Sequence, residues 1–167
     1  MIQSFEGKKP KIDKSVFVAK ESTIIGDVEI GANSSVWFYA VIRADLEKIR
    51  IGKNCSIQDC CVLHTEPDND CIIGDNVTIG HNSTLHSCRI ENNVIVGMGA
   101  TILSGAVVKA NSIIAAGAVV TEGTIVEEKS IFAGVPAKKI ADASPSHLDR
   151  IERNWKNYVA LAKKYKK

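Results

Sequence analysis

From Ile12 onward an aliphatic residue returns at every sixth position: Ile12, Val18, Ile24, Ile30, Val36 and Ile42. Three residues are then inserted and the series resumes at Ile51, Ile57 and Leu63; four more precede Ile73, Ile79 and Leu85. One residue is deleted before Ile90, Val96, Ile102, Val108, Ile114, Val120 and Val126. All nineteen positions are aliphatic, although Ile, Leu and Val make up only about a quarter of the chain. An internal repeat of this length marks a stacked coil. Short strands joined by corners at a fixed period read as a parallel β-helix, an all-β solenoid. A corner every six residues closes as a triangle with three hexapeptides per turn.

The position two residues before each aliphatic one is mostly small: Ser22, Ser34, Ala40, Cys55, Cys61, Cys71, Ser83, Cys88, Ala100, Ala106, Ser112, Ala118 and Thr124. Residues two apart on a strand share a face, so most hexapeptides send one large and one small side chain inward. Four of the five cysteines belong to this set and read as small buried apolar groups; Cys60 has no assigned role. Gly31, Gly52, Gly74, Gly80 and Gly97 each follow an aliphatic position. Glycine there suits a tight corner with unusual dihedrals. Handedness is not written in the pattern, and the crossover rule for parallel strands favours right-handed winding.

At 167 residues the chain fits one domain. Its 21 Lys and Arg against 19 Asp and Glu leave a net charge of +2, too balanced to suggest a nucleic-acid partner. The opening MIQSFEGKKPKIDK holds no long apolar run, so neither a signal peptide nor a membrane span is expected. An odd number of cysteines with no CxxC pattern points to a reduced, cytoplasmic protein. Residues 1–140 are expected to form the β-helix domain, left through an exit loop at Gly134 and Pro136. Residues 141–167 are expected to form a helix packed along it. Ser144 and Pro145 mark its start, and Leu148, Ile151, Trp155, Val159 and Ala162 recur at helical spacing. His147 reads as a surface side chain, and Lys163, Lys164, Lys166 and Lys167 as a solvated helix end favoured by the dipole.

In a three-sided coil every third aliphatic position stacks, so Ile42, Leu63 and Leu85 form one column and Val36, Ile57 and Ile79 the next. The residues following the first column are Arg43, His64 and His86. The second residues after Ile57 and Ile79 are Asp59 and His81. Successive coils lie about 4.8 Å apart, so His64 and His86 can reach one metal ion at roughly 2.0–2.1 Å. His81 lies around a corner and is poorly placed to complete that site in its own chain. A threefold trimer with parallel axes would bring the second column of one subunit against the first column of its neighbour. The expectation is therefore a homotrimer with metal between subunits, held by His64 and His86 of one chain and His81 of the next. The same apposition would face Arg43 toward a neighbour's Asp59.

Arg43-Ala44-Asp45, Gln58-Asp59 and the three histidines at this spacing resemble the gamma-class carbonic anhydrases, over nearly the whole chain. The resemblance implies a left-handed parallel β-helix of hexapeptide repeats with a C-terminal α-helix. It implies a trimer with interfacial Zn²⁺, with Fe²⁺ or Co²⁺ as alternatives, and reversible hydration of CO₂ to bicarbonate by a metal-bound hydroxide. Gln58 would orient the reacting water or bicarbonate, Arg43 and Asp59 would bridge subunits, and Asp45 would join their network. Tyr158, in Asn157-Tyr158-Val159, is similar to a family tyrosine near the pocket.

The chain departs from the family pattern in three places. Leu46 stands where some members carry a glutamate, Ala160 where some carry an asparagine, and only a short Thr65–Asp70 excursion follows the first histidine. Glu66, within that excursion, is a candidate proton shuttle. Other functions compete. The exit Ala133-Gly134-Val135-Pro136-Ala137-Lys138 resembles that of hexapeptide acyltransferases, which need no convergent histidines. The same metal chemistry could hydrolyse a thioester, and a metal-bearing scaffold needs no turnover.

Overall fold

In the computed structural model, which describes residues 1–166, the chain makes about seven turns of parallel β-solenoid and ends in one helix, α1 (Pro145–Tyr165). Most strands are two or three residues long, and each pairs in parallel with the strand one coil away. The three columns stack as the period requires. Ile30 pairs with Ile51, Ile51 with Ile73 and Ile73 with Ile90; Val36 pairs with Ile57 and Ile57 with Ile79; Ile42 pairs with Leu63 and Leu63 with Leu85. Seventeen of the nineteen aliphatic positions are buried, and Ile12 and Val18 pack against the same core from its open end. Each full burial contributes about 1.5–3 kcal/mol. The small inward positions are buried too, except Thr124, which is half-buried.

The glycines after the aliphatic positions serve a purpose other than the one their sequence suggests. None of Gly31, Gly52, Gly74, Gly80 and Gly97 has a positive φ. A Cβ on Gly31 would meet the Gly52 carbonyl carbon at 2.8 Å, and one on Gly97 would meet the Ala116 nitrogen at 2.5 Å. They are glycines because the next coil's backbone passes where a side chain would stand. The left-handed conformation falls three residues after the aliphatic position instead, along one edge at Asn33, Asn54, Asn76, Asn93 and Asn111, with φ of 57–60°. Asparagine tolerates it through local hydrogen bonding. These side chains also form a ladder along one edge: each amide donates to the carbonyl oxygen of the asparagine one coil on, at 3.3, 2.9, 3.0 and 3.2 Å in turn.

Both insertions fall at one corner, directly after Arg43 and His64. The first sits in the eleven-residue strand Val41–Ile51, whose register jumps: Gly26 pairs with Ala44 but Val28 with Ile49. The second is a tight loop closed by Glu66 and Asn69. At the far end, Ser130–Ala133 pairs antiparallel with Lys138–Asp142, so the expected division at 140/141 falls inside a strand.

Helix α1 runs back along the solenoid. Near its start Ile151 and Leu148 pack on Ile95, Ile113 and Ile131. Near its end Ala162 and Tyr158 pack on Phe17, Trp37 and Phe38, and the Trp37 ring lies 6.0 Å from that of Tyr158. His147 is half-buried rather than a free surface group: its Nδ1 accepts the Ser144 backbone N–H at 3.1 Å, closing the helix start. No helix is long and apolar enough to cross a membrane among the described residues. Of the terminal lysine run, Lys163 and Lys164 fall in the last helical turn, and Lys167 lies outside the described residues.

Candidate metal centre

The register brings Arg43, His64 and His86 side by side on neighbouring coils. Their side chains point outward because Ile42, Leu63 and Leu85 before them point in. The His64 and His86 rings lie 5.2 Å apart, with His64 Nδ1 3.3 Å from His86 Nε2. Two nitrogens each about 2.0–2.1 Å from a tetrahedral metal ion stand about 3.3 Å apart. The spacing therefore already fits two ligands of one such ion.

The other ring nitrogens are engaged. His64 Nε2 lies 3.0 Å from Asp45 Oδ1, and His86 Nδ1 lies 2.9 Å from Ser104 Oγ. A neutral ring that donates its proton to either acceptor leaves its facing nitrogen with a lone pair. Such partners orient metal-binding histidines and fix their tautomers. Asp45 reaches His64 from within the Val41–Ile51 strand, at the start of the inserted residues where the pairing register shifts. It also binds Arg43 in an ion pair. Burial opposes ionisation of Asp45, but hydrogen bonds from Arg43 and His64 outweigh it and hold the carboxyl below the usual range.

His81 sits around the corner. Its Nδ1 lies 2.6 Å from Asp59 Oδ2, which again leaves Nε2 facing away and free. Buried Gln58 accepts the His81 backbone N–H at 3.2 Å and lines the same cavity as Tyr158. Burial, helped by the negative Asp59, pushes the Tyr158 hydroxyl above its ordinary range, while the Gln58 contact pulls it the other way. Gln58, Asp59, His81 and Tyr158 thus form one group, and Arg43, Asp45, His64 and His86 another. Within one chain, no three metal-ligating side chains converge among the described residues. Arg43 is paired here with Asp45, and Asp59 with His81.

Glu66 lies on the His86 side. Its carboxylate accepts the Asn69 amide at 3.1 Å, and that hydrogen bond, with a lesser contribution from the Ser104 side, holds it below the ordinary glutamate range. Ser104 escaped the sequence reading. It stands two residues past Ile102, which stacks on Leu85, and only that register places it beside His86. Of the cysteines, burial pushes Cys55 and Cys61 up to about 12, and Cys60 alone is exposed.

Residues 87–122 match the family model described as bacterial transferase hexapeptide (six repeats). A carbonic anhydrase of Geobacillus kaustophilus is 45% identical, over 99% of this chain and 91% of that protein. The mitochondrial gamma carbonic anhydrase 2 of Arabidopsis thaliana is 39% identical over 93% of this chain, which spans 58% of that longer protein. Among solved structures, a hexapeptide transferase family protein from Anaplasma phagocytophilum superposes with a TM-score of 0.95 at 39% identity, over 98% of this chain and 97% of that one. The coil is thus the left-handed β-helix of the hexapeptide proteins. The crossover rule expects the other hand, but it describes long connections between twisted strands, and two-residue strands joined by tight corners have neither. On this identity and coverage, the chain belongs to the gamma-class carbonic anhydrase family of hexapeptide-repeat proteins.

Proposed function

We propose that this protein is a carbonic anhydrase-like lyase that hydrates CO₂ reversibly at metal sites between the subunits of a homotrimer. One observation carries the reading: three histidines each have one nitrogen engaged by a partner in the chain, Asp45, Ser104 or Asp59, while the second nitrogens of His64 and His86 face each other 3.3 Å apart and that of His81 has no partner among the described residues. His64 and His86 of one subunit and His81 of the next would supply three neutral nitrogens to Zn²⁺, or to Fe²⁺ or Co²⁺. When bound, the ion supplies Lewis acidity that makes water a nucleophile at neutral pH.

The remaining roles belong to the chain. Asp45, itself fixed by Arg43, holds the proton on His64 Nε2. Ser104 holds the proton on His86 Nδ1. Gln58, anchored by the His81 backbone and lining the same cavity as Tyr158, orients the reacting water or bicarbonate from the apolar side of the site. Glu66, on the exposed loop beside His86, is the candidate to carry the proton to solvent. The assembly is supported by apolar groups left exposed around both histidine columns. Val62, on the His64 face, is 38% exposed, and Tyr39 and Met98, at the His81 corner, are 65% and 59% exposed.

Metal content and CO₂ hydration, measured on protein purified without chelators and without oxygen, test the proposal together. One metal ion per chain with hydration activity is expected. Metal without hydration would leave a binding scaffold, and no metal would return the chain to the acyltransferase reading that its transferase neighbours favour.

A further inference from the structure

Gln58, His81 and Tyr158 are one end of a longer groove between α1 and the solenoid, with a volume of about 390 Å³. That is some thirteen times the share of liquid volume of a water molecule, about 30 Å³, and lies within the small-molecule range of about 300–1,000 Å³. CO₂ and bicarbonate need a small fraction of it. One wall steps from Gln58 through Gly80 and Gly97 to Ala115, three coil spacings or about 14 Å. The floor is apolar: Ile95, Ile113 and Ile131 face outward beneath the helix. Small residues on the wall keep it open.

The far end is cationic. Arg150 and His147 line it. Arg150 forms no ion pair among the described residues: Asp142 and Glu152 pair with Lys139 and Lys156, and the adjacent Asp149 carboxylate does not come within ion-pair distance of its guanidinium. An exposed guanidinium at the end of an apolar trough that starts at the candidate metal centre matches a ligand with an anionic head and a short apolar chain. We propose that the groove is a ligand subsite for short-chain carboxylates and similar amphipathic anions, with the anion on Arg150 and the chain running toward His81. The proposal deepens the reading of the site given above, because it extends the reachable substrates from CO₂ to acyl compounds.

Hexanoate is the probe, with hexan-1-ol as its neutral counterpart. Binding is followed by calorimetry and by amide chemical shifts, on the assembled protein with metal loaded and again after chelation. Hexanoate should bind with a dissociation constant on the order of 1 mM, and Arg150→Gln should weaken it roughly fivefold, the range of an exposed ion pair. The alcohol should bind more weakly to the native protein and equally to both proteins. Ala115→Phe, which fills the wall, should abolish hexanoate binding, and its circular dichroism and oligomeric size should match those of the native protein. Hexanoate bound equally by all three proteins, shifts confined to residues outside the groove, or no binding would overturn the proposal. CO₂ hydration measured on the same samples tests the metal reading separately, since neither Arg150 nor Ala115 is among the proposed metal ligands or their hydrogen-bond partners.

Discussion

Replacing Asp45 with alanine tests the link between the inserted corner and metal affinity. In the native chain Asp45 Oδ1 lies 3.0 Å from His64 Nε2 and the carboxylate is charged, held so by Arg43. Without it, the His64 proton is free to sit on Nδ1, the nitrogen that faces His86. That tautomer cannot bind a metal there, and the ring loses its fixed orientation. Loss of such a partner lowers metal affinity about 10- to 100-fold, which is about 1.4–2.8 kcal/mol. Asp45→Asn keeps an acceptor oxygen and removes the charge, so it should fall at the tenfold end. Arg43→Gln leaves the acceptor in place and should change affinity by less than either. The assay is competition for Zn²⁺ against a chromophoric chelator at fixed pH and salt. Equal affinities for the native protein and Asp45→Ala, or a larger loss in Arg43→Gln than in Asp45→Ala, would refute the reasoning.

Three further outcomes follow from the same geometry. His81→Ala should lose most of the bound metal and weaken the trimer, seen together by elemental analysis and light scattering; stoichiometric metal in that variant would remove His81 from the ligands. Asn76→Ala breaks two rungs of the asparagine ladder and places an alanine at φ 60°. It should cost about 2–4 kcal/mol by denaturant unfolding, with Asn76→Gly about 1 kcal/mol milder because glycine accepts that backbone; no difference between them would show that φ does not matter there. In the native protein no more than one of the five thiols, Cys60, should react with Ellman's reagent at pH 8, because burial holds Cys55 and Cys61 as thiols and encloses Cys71 and Cys88. Rapid reaction of a second thiol without unfolding would contradict the packing.

The core was legible because a period of six leaves little freedom: once Ile42, Leu63 and Leu85 share a column, His64 must stand beside His86 and Arg43 beside His64. What the period cannot carry is what leaves it. Corners that need unusual dihedrals point to the glycines, yet the strain sits on the asparagines and the glycines answer to the neighbouring coil, a contact sixteen or more residues away. The family resemblance places Asp45 in the interfacial network, but its hold on His64 depends on a bulge whose shape the sequence does not state. Ser104 carries no motif at all and becomes visible only as the acceptor beside His86. The groove along α1 was equally hidden, since it depends on how far the helix stands off the sheet.

The most direct test of the central claim is a crystal structure of the metal-loaded protein with an anomalous difference map at the metal edge. The account predicts one peak per chain, bonded at about 2.0–2.1 Å to His64 Nδ1 and His86 Nε2 of one subunit and to His81 Nε2 of its neighbour. A metal held without His81, or three rings with no shared ion in the assembled protein, would contradict it.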